Sequence, residues 1–109
     1  MVAEQIRQRL LRDPLSNQLG ALAADLARIA SFSENPVNRD VVASLLEEGK
    51  FFAEWIAPDA PLDTQAVLAD VQLALAAWER SWLNGTPAPT MRADAERKSG
   101  ELLALAGLA

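Results

Sequence analysis

The sequence contains no histidine, no cysteine and no tyrosine. Without imidazole, thiol or phenol, the chain lacks the usual general base, the thiolate nucleophile and the ligands that hold zinc, haem and iron–sulfur clusters. Ser-His-Asp chemistry within one chain is excluded on the same ground. The di-iron bundle pattern requires Glu-x-x-His on two helices, so Glu47, Glu48 and Glu54 cannot complete it. No catalytic residue, metal site or cofactor is expected. The absence of cysteine also removes any disulfide framework, which leaves stability to apolar packing and fits a reducing, cytoplasmic setting.

Glycine and proline are sparse, at 5 and 6 of 109 residues. The glycines are isolated from one another, so there is no glycine-rich loop to cradle phosphate. Basic residues are outnumbered, 10 against 15 acidic, and the net charge of −5 repels a phosphate backbone. Nucleic acid is therefore not an expected partner. No apolar run approaches the ~20 residues of a membrane span, because Asp25 with Arg28 and Asp63 with Asp70 interrupt the two best stretches. Residues 1–12 carry Glu4, Arg7, Arg9 and Arg12 without a following apolar stretch and do not read as a signal peptide. A soluble protein is expected.

What is present is apolar and helical. Half the residues are hydrophobic, enough for one real core and one domain spanning residues 1–109. No strand-like alternation competes with the helical spacing. Asp13-Pro14 and Asn35-Pro36 look like helix starts, Asp63 or Thr64 caps another, Asn84-Gly85 is a left-handed stop and Thr90 opens the last segment. These signals place helices at about residues 3–12, 14–31, 36–57, 63–84 and 90–106. Four long helices joined by short links predict an all-α fold, an antiparallel up-down four-helix bundle with a short extra N-terminal helix.

The core faces follow from a rotation of ~100° per residue. Leu15, Leu19, Leu22, Leu26 and Ile29 share one stripe on the second helix. Val42, Leu45, Gly49, Phe52 and Ile56 align on the third, and Val67, Val71, Leu75, Trp78 and Trp82 on the fourth. The fifth is weaker, because Lys98 falls within the stripe of Met91, Ala95, Leu102 and Leu105. Its N-terminal half is expected to be the least well held.

Two helices carry apolar residues where a solvated face should be charged. On the fourth, Ala66, Ala69, Leu73 and Ala76, extended by Arg80, lie opposite the core; on the second, Gly20, Ala24, Ala27 and Ser31 form a stripe of small side chains. Such faces admit a second helix closely, although alanine also recurs simply as a good helix former. Phe51 and Trp55, one turn apart among Glu47, Lys50 and Glu54, have the composition of an interface anchor or of a surface covered by another helix. Residues Asp40 to Asp70 hold seven acids against Lys50 alone, while residues 1–12 hold three arginines. This asymmetry reads either as a solvated charged surface or as steering of the first helix onto the acidic middle of its own or a neighbouring chain.

The expected function is thus a non-enzymatic helical module for protein–protein interaction or self-association, as a homodimer or with a protein partner. Its interface would use Ala66, Ala69, Leu73, Ala76, Phe51 and Trp55. The alternative is a small-molecule-binding bundle, conceivably a minor enzyme, with Phe52, Trp78 and Trp82 lining a pocket between helices and Lys98 as its polar contact.

Overall fold

The computed structural model describes the backbone of residues 2–108 and the side chains of residues 3–108. Five α-helices make up the fold: α1 (Val2–Arg12), α2 (Leu15–Phe32), α3 (Arg39–Ile56), α4 (Leu62–Leu83) and α5 (Met91–Leu105). Single 3-10 turns at Pro36–Asn38 and Ala57–Asp59 bracket α3. The expected boundaries hold except at the third helix, where Pro36 opens the 3-10 turn rather than the α-helix itself.

The helix ends show which local signals operate. Asn35 caps the first 3-10 turn, its Oδ1 accepting from the Val37 amide at 3.1 Å. Asp13, Asp63 and Thr64 do not cap as expected, because Pro14 and Pro61 themselves occupy the N-cap positions of α2 and α4. The carbonyls just ahead of these prolines are satisfied from inside the helix: Gln18 Nε2 donates to Asp13 O at 2.8 Å and Gln65 Nε2 to Ala60 O at 3.1 Å. Thr90 stands at the N-cap of α5 without a side-chain capping bond.

At the end of α4, Gly85 adopts φ +77°. The Thr86 amide reaches Ser81 O at 2.9 Å and the Gly85 amide reaches Trp82 O at 3.1 Å, the paired closure that needs a left-handed residue. A Cβ at Gly85 would meet nothing within 4 Å, so Gly85→Ala isolates the backbone strain. It is expected to cost about 1 kcal/mol in a urea melt, and an unchanged midpoint would contradict this reading.

Packing runs in the order α5–α2–α3–α4, with α2 and α3 at the centre and the α4–α5 edge the sparsest. The molecule measures 35 × 32 × 20 Å, a flattened bundle. The core is built from Leu19, Leu22, Leu26 and Ile29 of α2, Val42, Leu46, Phe52 and Ile56 of α3, Leu68, Val71, Leu75, Trp78 and Trp82 of α4, and Met91, Ala95 and Leu102 of α5. Five positions of the expected stripes differ, Leu15 of α2 among them, which is only half-buried. Leu46 rather than Leu45 is fully buried on α3, Val67 is only half-buried on α4, and Ser99 replaces Lys98 on the inner face of α5 while Leu105 is exposed.

Ser99 is tolerated inside because its hydroxyl donates to Ala23 O across the α2–α5 contact at 2.8 Å. Ala23 and Ala30 on α2 and Ala95 on α5 are also buried, and such small side chains permit that approach. With Met91 and Ala95 both buried, the first half of α5 is anchored in the core despite its polar composition. A Cβ on Gly49 would meet Leu75 Cδ1 at 3.0 Å, which marks the close crossing of α3 and α4.

α1 lies across α2 and α3 of its own chain. Leu10 is buried and Ile6 half-buried beneath it. Its one ion pair among the described residues is internal, Arg7 with Glu4 at 3.7 Å. The contact of this helix with the rest of the fold is apolar, and among the described residues none of its arginines forms an ion pair with the acidic middle of the chain.

Candidate functional site

The inward face of α4 is formed by Thr64, Leu68, Val71, Leu75, Trp78 and Trp82. Opposite it, Ala66, Ala69 and Leu73 are exposed and Ala76 is half-buried. Leu62 and Leu83 continue the same row to the two ends of the helix, and sequence reasoning missed them although they obey the same alternation of three and four residues. Leu62, Leu73 and Leu83 are 83%, 72% and 59% exposed, so the row is an unpartnered apolar seam along the whole helix.

Charge is distributed unevenly along this seam. Asp63 and Asp70 flank its N-terminal half, and Arg80 lies within the row near the C-terminal end. Glu79, beside Arg80, is drawn into an ion pair with Lys50 of α3. Arg80 and Asp70 enter none of the ion pairs among the described residues.

A second surface lies between α1 and α3. Phe51 and Trp55 stack with ring centroids 5.5 Å apart and planes inclined by 18°. Together with Phe52, Ala3, Ile6 and the carboxylates of Glu47 and Glu48 they line an open groove of about 330 Å³. α1 forms one wall of the groove without closing it, and Phe51 keeps substantial exposure.

The four residues expected to form a ligand pocket are dispersed. Phe52 belongs to the α1–α3 groove, whereas Trp82 borders a smaller hollow of about 180 Å³ with Ser33, Pro36, Arg39, Gly85 and Pro87. Trp82 is fixed there by its indole, which donates to Arg39 O at 3.0 Å. Trp78 and Lys98 line neither hollow; Trp78 is buried and Lys98 half-buried on α5. On α2, the small-residue stripe divides: Ala27 and Ser31 are exposed, while Gly20 approaches the C-terminal Leu108, whose Cδ1 would lie 3.2 Å from an added Cβ.

One ionisable residue that the sequence reading did not single out is Asp25, which is 1% exposed within the α2 core. Its signal was present, because position 25 falls one turn from both Leu22 and Ile29 on the apolar stripe. Burial pushes its carboxyl up to about 8, and the neighbouring Glu48 of α3 adds to the rise, against a smaller opposing effect of Arg28. Arg28 approaches Oδ1 at 3.4 Å, while Oδ2 has no hydrogen-bond partner. Asp25 borders neither of the two hollows; it lies on α2 with Glu48 of α3 beside it.

Among the described residues, no three Asp or Glu side chains gather as a metal-holding group, and no helix is long and apolar enough to cross a membrane. No protein-family model, no curated protein and no solved structure matches the chain.

Proposed function

We propose that this chain is a non-enzymatic helical module that associates with protein through the outward seam of α4. The observation that carries the reading is the row Leu62, Ala66, Ala69, Leu73, Ala76 and Leu83, set back to back with a complete core face on the same helix. A helix serving only its own bundle needs one apolar face; a second one running its full length favours contact with another helix. The stacked Phe51–Trp55 pair is an additional apolar surface around the side of the molecule.

Leu73→Glu tests this reading. Leu73 is 72% exposed, so the substituted chain is expected to keep its helical circular dichroism and its melting point. Association measured by sedimentation is expected to weaken at least about tenfold, since a carboxylate would have to be desolvated in an apolar seam. Association of unchanged strength in the Leu73→Glu protein would overturn the reading.

A further inference from the structure

The charge pattern of α4 selects the partner for this seam and its direction, and we infer that the occupant is a second copy of the same chain with the two α4 helices antiparallel. The inference rests on the reading of the seam given above. In an antiparallel pair related by a two-fold axis, Leu73 packs against Ala76 of the second copy, Arg80 against Ala69, and Leu83 against Ala66. Every large side chain in these three layers then meets a small one. Arg80 comes to lie beside Asp70 of the second copy, giving each of these otherwise unpaired charges a partner at both ends of the contact.

Other arrangements are less consistent with the same residues. A parallel pair sets Arg80 directly against its own copy and leaves both guanidinium groups in the seam without an acid. Shifting the antiparallel pair by one heptad, so that Leu73 meets Ala69, brings the two Asp70 carboxylates together across the axis. The engagement of Glu79 by Lys50 matters here, because Arg80, its neighbour, enters no ion pair among the described residues and is open to a partner's acid. The 22 residues of α4 span only about 33 Å, which makes a contact at the small end of the usual range and calls for protein concentrations well into the micromolar range.

The absence of native cysteine makes disulfide mapping clean. Ala66→Cys and Leu83→Cys proteins, mixed in equal amounts under oxidising conditions, are expected to give a mixed disulfide dimer. Ala66→Cys alone is expected to stay uncrosslinked, because antiparallel pairing separates its two copies by about 25 Å. In parallel, Asp70→Arg and Arg80→Asp are each expected to weaken dimerisation about threefold to tenfold, and the double variant to recover most of the loss.

Efficient crosslinking of Ala66→Cys with itself would overturn the antiparallel arrangement while leaving the seam as the contact. Crosslinking in neither case, with a mass that remains monomeric, would overturn the second copy as occupant. A dimer whose strength is indifferent to Leu73→Glu would instead defeat the reading of the seam on which the inference rests.

Discussion

The natural chain is expected to lose stability between about pH 4 and pH 8, and Asp25→Asn is expected to abolish that fall. In the unfolded chain the Asp25 carboxyl loses its proton near its ordinary value of 3.8, whereas in the fold burial and the facing Glu48 hold the proton until about pH 8. Between these values the folded state binds a proton that the unfolded state has released, so rising pH favours unfolding. The slope is about 1.4 kcal/mol per pH unit, which accumulates to as much as about 4 kcal/mol between pH 5 and pH 8. Below about pH 4 the effect vanishes, because both states are protonated. Asparagine keeps the shape without the titration. Urea melts of both proteins across this range decide the matter: the two profiles should diverge as pH rises, with the Asn protein the more stable at pH 8. Parallel profiles would mean that Asp25 is ionised in the fold.

The second large effect is steric. Gly49 of α3 faces Leu75 of α4 and Leu22 of α2, whose methyl groups would lie 3.0 Å and 3.8 Å from an added Cβ. Leu22 and Leu75 are themselves fully buried, which leaves them little space to withdraw. Gly49→Val forces two further methyl groups into this crossing and is expected to cost about 2–3 kcal/mol. Leu75→Ala alone opens a cavity and is expected to cost about 3 kcal/mol. Because the excess volume of one substitution occupies the deficit of the other, the double variant should lose markedly less than the sum. Strict additivity in chemical denaturation would show that Gly49 does not set the α3–α4 separation.

These two sites also mark what could and could not be read from the chain alone. Gly49 on a core stripe signals a close crossing, and the structure places Leu75 against it. Pro36 and Gly85 are equally legible because turn chemistry is local. The choice of Leu46 over Leu45, and of Ser99 over Lys98, depends on the angle at which a neighbouring helix lies, and periodicity over one helix does not specify that angle. Asp25 is a sharper case. Its position on the apolar stripe is visible in the sequence, but its burial and the approach of Glu48 depend on where α3 packs.

The candidate site was partly legible for the same reason. Ala66, Ala69, Leu73 and Ala76 stand out because one helix cannot turn two opposite faces inward. Leu62 and Leu83 are less legible because they are the terminal residues of α4, and their place in the row depends on where the helix begins and ends. Phe51 and Trp55 could not be placed from their spacing alone, since their surroundings depend on where α1 docks. Aromatic residues at helical spacing do not specify a shared pocket, and the fold distributes Phe52, Trp78, Trp82 and Lys98 over different contacts.

Solution molar mass as a function of concentration tests the central claim, that the outward seam of α4 is a protein contact, most directly. Light scattering across the micromolar range should show the mass rising from 11.8 kDa toward twice that value. Because apolar burial dominates the seam, the rise should persist at high salt, where exposed charge pairs are screened. A mass that stays at 11.8 kDa at every concentration and salt would contradict self-association through α4.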